Sequence, residues 1–172
     1  DLSYLRDDTL NLMNESREGL NRVKKIVQDL KEFSHVDRAE WQQANLHLGL
    51  DSTLNIVHNE LKYKADVVKV YGTLPPVDCI PAQLNQVFMN LIVNAIHATP
   101  KEGTITITTR SMDEHYTVAI ADTGVGIPPE QLPLIFDPGF TTKGVGIGTG
   151  LGLSIVYKIV QSHGGRVDVL TA

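Results

Sequence analysis

Asn90, Asn94 and His97 recur at spacings of four and three within an otherwise apolar run, Gln86-Val-Phe-Met-Asn-Leu-Ile-Val-Asn-Ala-Ile-His97. At about 100° per residue the three share one helix face, beside a core stripe of Leu84, Val87, Phe88, Leu91, Ile92 and Ala95. Two amides at the edge of a core cost stability unless something satisfies them. Amide oxygens suit a hard cation such as Mg²⁺, which keeps several waters and completes its shell with one or two protein oxygens plus phosphates. His97, one turn beyond Asn94, can reach a phosphate on such a group. The same residues also fit a plainer pattern of solvated amides and a polar residue near a helix end.

Two glycine clusters follow. Asp122-Thr-Gly-Val-Gly-Ile-Pro128 comes directly after a strand-like stretch. A carboxylate held partly buried at a strand end can accept a hydrogen bond from an exocyclic amine such as that of adenine. Gly124 and Gly126 let a flat ring approach the backbone, and Ile127 offers apolar cover. Ordinary turn chemistry explains Asp-Thr-Gly equally well. The second cluster, Gly148-Thr-Gly-Leu-Gly-Leu-Ser154, opens a helix, where freed N–H groups and the helix dipole favour an anion. It lacks both the dinucleotide spacing and the Gly-Lys-Ser/Thr of a Walker A loop. Glycine at alternate positions from Gly144 to Gly152 points to a flexible lid. Lys143, just before that run, can reach a phosphate or serve as a solvated loop lysine.

These residues need elements to hold them. A helix over 81–98 starts at Pro81, a residue suited to a first helical turn. Strands are expected at Asp66–Tyr71, Thr104–Arg110, Tyr116–Ala121 and Arg166–Leu170, and helices at Leu46–Lys64 and from Gly150 to His163. Gly164-Gly165 ends the last helix as a cap and turn. A short helical turn is expected near Glu130–Ile135, inside an irregular stretch rich in Pro and Gly. Residues 1–34 read as one long helix whose seam is Thr9, Met13, Ser16, Leu20, Val23, Val27, Leu30 and Ser34. Leu12, Gly19, Ile26 and Phe33 widen that face, which asks for a hairpin partner, a second subunit or both. Ser34–Arg38 reads as a hinge, so residues 1–38 form one unit and 39–172 another. The fold class is α+β: a two-layer sandwich of a mixed, mainly antiparallel sheet with helices on one face, preceded by a coiled-coil-like helix.

A chain of 172 residues with 42% hydrophobic content can bury a core without metal or disulfide support. A net charge of −5 argues against nucleic acid as a partner. The single cysteine, Cys79, has no partner and fits a buried thiol in a reducing, cytoplasmic compartment. No apolar run nears the roughly eighteen residues that cross a bilayer, so any membrane attachment would come from segments outside this chain.

Together these segments resemble the ATP-binding domain of sensor histidine kinases, within the gyrase, chaperone and histidine-kinase ATPase superfamily. Gln86–His97 is similar to that family's asparagine box and Asp122–Ile127 to its first glycine box. Ile135-Phe-Asp-Pro-Gly-Phe-Thr-Thr-Lys143 resembles the phenylalanine box and Gly148–Leu153 the second glycine box. The stretch Val27-Gln-Asp-Leu-Lys-Glu-Phe-Ser34 resembles the second helix of the dimerisation and phosphotransfer hairpin. The resemblance implies ATP and Mg²⁺ as cofactors, with Asn94 on the metal and Asn90 assisting. It implies Asp122 on the adenine amine beside Gly124, Gly126 and Ile127, and Lys143 and His97 on phosphates. Gly148, Thr149, Gly150, Leu151, Gly152 and Leu153 would shape the lid, with Phe136 and Phe140 anchoring it. The implied chemistry passes the γ-phosphoryl of ATP to a histidine and then to an aspartate on a response regulator receiver domain. The implied assembly is a homodimer through the N-terminal helix, and the chain could be the cytosolic part of a membrane-anchored receptor.

Two departures qualify the resemblance. None of His35, His47, His58, His97, His115 or His163 has the acidic-residue and proline context of a phosphoacceptor. The chain is thus expected to begin after the acceptor helix and to bind ATP without phosphorylating itself. It is also expected to lack the family's final glycine-threonine strand. A gyrase-like or mismatch-repair ATPase is the nearest alternative. Those proteins usually carry a catalytic Glu in the asparagine helix, where this chain has Met89 and Asn90. A nucleotide-binding pseudokinase scaffold is the other.

Overall fold

A computed structural model describes residues 40–100, 102–113, 115–143 and 148–171, together with positions 6, 8–10, 12, 13, 16, 17, 19, 20 and 24. Those early positions are helical. Val23, Val27, Leu30 and Ser34 of the proposed seam, Ile26 and Phe33 beside it, the hinge at 34–38, and Gly144 and Gly146 lie outside the described residues.

From Gln42 the elements run β1 (Gln42–Ala44), α1 (Leu46–Ile56), α2 (His58–Leu61), β2 (Ala65–Tyr71), β3 (Val77–Cys79), α3 (Pro81–Ala98), β4 (Gly103–Met112), β5 (His115–Asp122), a 3₁₀ turn (Leu132–Leu134) and α4 (Gly152–Ser162). β4 is the centre of a three-stranded sheet, parallel to β2 and antiparallel to β5. Its alternation explains the layering. Ile105, Ile107 and Thr109 are buried beneath the helices, while the intervening threonines face outward with Val68 and Val70 of β2. The β4–β5 hairpin turns through Asp113 at φ 49°, a left-handed position that Asp tolerates. A parallel β2–β4 pair requires a crossover, and α3 lies within it.

The core fills the space between this sheet and the helices. Leu50 and Leu54 of α1, Val87, Phe88, Ile92, Ala95 and Ile96 of α3, and Ile155, Val156 and Ile159 of α4 meet Ile105 and Ile107. Asn45 caps α1, its Oδ1 accepting from the His47 N–H at 2.9 Å. Cys79 is buried in the same cluster, and burial pushes its thiol pKa up, as suits an inert thiol. The α+β class and the helices on one sheet face agree with the sequence.

Four expectations need correction. The helix over 46–64 is broken at Val57 (φ −88°, ψ 4°), a bend after which Leu61 still enters the core. β1 and β3 form an unanticipated two-stranded antiparallel sheet, Gln42 opposite Cys79 and Ala44 opposite Val77. Residues 165–170 make no ladder among the described residues, although Val167 and Val169 are half-buried between exposed neighbours. A period-two pattern marks which side faces inward; it does not supply a paired backbone. Finally, α4 starts at Gly152 rather than Gly150, because Gly150 takes a left-handed φ of +69° that no α-helix accommodates.

Candidate functional site

α3 is the spine of the site. Buried Val87, Phe88, Ile92 and Ala95 fix its rotation, leaving Asn90 and Asn94 half-buried at the core margin and His97 exposed. The Lys143 ammonium donates to Asn94 Oδ1 at 3.0 Å and lies 2.9 Å from His97 Nδ1. Asn94, His97 and Lys143 are thus brought together, 49 residues apart in the case of the Asn94 bond. The Asn94 oxygen faces a cation, as an oxygen suited to a hard metal would. Asn90 differs: its amide nitrogen is buried without a hydrogen-bond partner. An orphaned buried donor is costly and marks a place where a ligand atom or water is wanted.

The two glycine clusters meet α3 at different levels. Gly152, the first residue of α4, packs on the Asn90 side chain; an added Cβ would stand 3.5 Å from Asn90 Oδ1. At the other end, the Val125 N–H donates to Ala98 O at 3.2 Å. A Cβ on Gly124 would fall 2.7 Å from the Ala98 carbonyl, so glycine is required by close backbone approach. From Asn90 to Ala98 is about 12 Å of helix at 1.5 Å per residue, and each cluster holds one end of it.

Asp122 ends β5 and its Oδ1 accepts from the Gly124 N–H at 2.9 Å. The partial burial expected for it is absent: Asp122 is exposed, at the end of the edge strand β5. Gly126 has φ +70°, and Ile127 is half-buried with its N–H donating to Thr171 Oγ1 at 3.0 Å. In the second cluster Gly148 lies against Thr141 Oγ1 and the Lys143 stem. Thr149, Gly150, Leu151 and Leu153 are all half-buried. Gly150 crosses Gly139, which donates its N–H to Gly150 O at 3.0 Å; a Cβ on Gly150 would overlap the Gly139 backbone. Phe136 contacts Tyr157 of α4, ring centroids 5.3 Å apart. Sequence reasoning missed Thr171 as a member of this neighbourhood and gave Gly139 and Thr141, inside the phenylalanine-box stretch, no role of their own. Asp-Pro-Gly139 was a readable turn signal; that it would seat against another glycine was not.

Among the described residues no group of three or more His, Cys, Asp and Glu side chains could hold a metal. A cation here would rely on amide and phosphate oxygens, which is the chemistry that Asn94 offers.

Comparison with known proteins gives the family of the chain. The family described as histidine kinase-, DNA gyrase B-, and HSP90-like ATPase matches residues 79–172, more than half of the chain. The sensor histidine kinase ZraS of Salmonella typhi is 36% identical over 152 residues, covering 87% of this chain and 32% of its own length. The signal transduction histidine-protein kinase AtoS of Escherichia coli is 33% identical, with 87% and 25% covered. The chain therefore spans about a third or less of these relatives. Among solved structures, the catalytic domain of histidine kinase ThkA superposes with a TM-score of 0.66 at 33% identity, covering 72% of this chain and 83% of that one. The Acinetobacter baumannii histidine kinase AdeS gives 0.72 at 25% identity, covering 88% and 73%. With the family's match and these relatives beside the geometry, the chain belongs to the histidine kinase-, DNA gyrase B- and HSP90-like ATPases, as an ATP-binding catalytic domain of the sensor histidine kinase type.

Proposed function

We propose that this chain holds ATP with Mg²⁺ along α3 and presents the γ-phosphoryl group to a histidine of the parent protein, from which it passes to an aspartate of a response regulator. One observation carries this reading: Asn94, His97 and the Lys143 ammonium converge at one point on α3, between the two glycine clusters. Phosphoryl transfer asks for positioning and charge neutralisation more than for a protein nucleophile. Amide oxygens, a lysine, an imidazole and glycine-freed N–H groups supply that. A bound Mg²⁺ would offset phosphate charge. Asn94 is its proposed ligand, with Asn90 assisting at the metal or the phosphates. Lys143 and His97 are assigned to phosphates, and Gly148–Leu153 to the lid around them.

The adenine end is assigned to Asp122 with Gly124, Gly126 and Ile127. The exposed carboxylate of Asp122 is open to an incoming amine, while its tie to the Gly124 N–H holds the loop in place. Residues 1–38 are assigned to a dimerising helix and its hinge, and 39–172 to the catalytic unit. The test is competition against a fluorescent ATP analogue with Mg²⁺ present. ATP is expected to displace it and GTP to do so less well, since guanine carries a carbonyl where the exocyclic amine of adenine would donate to Asp122. Asp122→Asn should erase most of that preference with the fold intact by circular dichroism. Equal competition by ATP and GTP in the wild type contradicts the assignment of Asp122.

A further inference from the structure

His163 caps α4 and does something the nucleotide site does not explain. The Ile80 N–H donates to its Nε2 at 3.1 Å, so that nitrogen carries no proton. Nδ1 therefore bears the hydrogen and donates to Ile159 O at 2.8 Å, with Ser162 Oγ 3.5 Å away. Trp41, just before β1, lies over the ring at 4.9 Å between centroids. The ring is held firmly. Gly164 at φ +71° and the bonds Gly164 N–H to Gln161 O and Gly165 N–H to Val160 O form a Schellman cap around it.

Ile80 is the N-cap of α3, the helix that carries Asn90, Asn94 and His97. The bond from Ile80 to His163 thus joins the start of α3 to the end of α4. At the other end of α4, Gly152 lies on Asn90. Along α3, Ile80 to Asn90 is about 15 Å, and along α4, Gly152 to His163 is about 16 Å, at 1.5 Å per residue. The two helices therefore run antiparallel, pinned at matching distances, and a slip at His163 would carry Gly152 off Asn90. Apolar contacts among Phe88, Ile92, Ile155 and Ile159 supply the adhesion but no directional stop.

We propose that His163 is a positioning residue for the nucleotide site, fixing the register of α4 on α3 through its bond to the Ile80 N–H. This rests on the reading of Asn90 and Gly152 as nucleotide contacts. Helix capping alone would need only the bond to Ile159 O. The Ile80 bond adds the link between helices, and Trp41 extends it to the point where the chain enters this domain.

His163→Asn separates the two roles, because its amide can still donate to Ile159 O but is too short to meet Ile80. His163→Gln carries an acceptor out to the distance of Nε2. With Mg²⁺–ATP titrated calorimetrically, well below the unfolding temperature, His163→Asn should bind about tenfold more weakly and His163→Gln within about twofold of wild type. On the wild-type chain, Mg²⁺–ATP should slow amide exchange at Ile80, since coupling between two sites is reciprocal. Wild-type affinity in His163→Asn overturns the proposal, as does His163→Gln binding as weakly as His163→Asn. Unchanged exchange at Ile80 on saturation overturns it too, whether or not either variant folds. A wild-type chain that binds no Mg²⁺–ATP fails at the earlier step and overturns the site itself.

Discussion

The residues that matter most here are those whose polar atoms stand at a core edge. Asn94 and Asn90 do so in different states, one bonded to the Lys143 ammonium, the other with an unpartnered buried amide nitrogen. Both were legible in the sequence, because an amide interrupting an apolar stripe is a local anomaly. The exposure of Asp122 was not, since cover over a side chain comes from distant segments. A second polar group lies away from the site. The Lys69 ammonium bonded to Asp51 at 2.7 Å holds that carboxyl below the usual carboxylate range; burial opposes it, and the Tyr71 hydroxyl donating at 3.0 Å adds to the lowering. A depressed carboxylate pKa adds stability that is present above the unfolded-state value and lost as pH falls through the folded-state value. Asp51→Asn should therefore cost at most about 1 kcal/mol at pH 7, given the pair's exposure, with the difference from wild type vanishing in acid. Urea titrations at several pH values check this; a difference that grows toward acid contradicts it.

At the scale of elements, glycine acts through contacts that composition hints at but does not locate. The alternate glycines before α4 suggest a flexible lid in the sequence. At Gly150 the structural reason for glycine is the crossing over Gly139, where the backbone is left-handed and a Cβ has no room. Gly150→Ala should cost about 1–2 kcal/mol for the left-handed conformation, with the clash added, and weaken nucleotide binding. Denaturant midpoints and titration check both; an Ala variant with wild-type stability and affinity would show the crossing to be dispensable. α1, α3, α4 and the β4–β5 hairpin were legible because each carries its own period over eight or more residues. β1 and β3 were not, because strands of three residues each are specified by one another across more than thirty positions. His163 escaped for the same reason: its sequence context is a helix end, and its partner Ile80 is 83 residues away.

For the molecule as a whole, one core of helices on a mixed sheet places both glycine clusters on α3 without any metal-binding carboxylate group among the described residues. No helix among those residues is long and apolar enough to cross a membrane. In the proposed division of labour the chain holds the phosphoryl donor and the acceptor histidine lies elsewhere in the parent protein. His47 and His163 fit that view, since His47 stacks on Tyr71 and bonds Thr109 Oγ1 while His163 joins two helices. Incubation with γ-labelled ATP should leave no acid-labile, base-stable phosphate on this chain; such a label would place an acceptor within it.

The central claim is that the amide face of α3 binds ATP through a cation. The most direct measurement is calorimetric titration of ATP with and without Mg²⁺ into the wild type and Asn94→Ala. The expected result is Mg²⁺-dependent binding by the wild type and a loss on Asn94→Ala that is at least about tenfold larger with Mg²⁺ than without, in the range seen when a metal's support is removed. Equal losses in the two conditions, or wild-type binding indifferent to Mg²⁺, would contradict it.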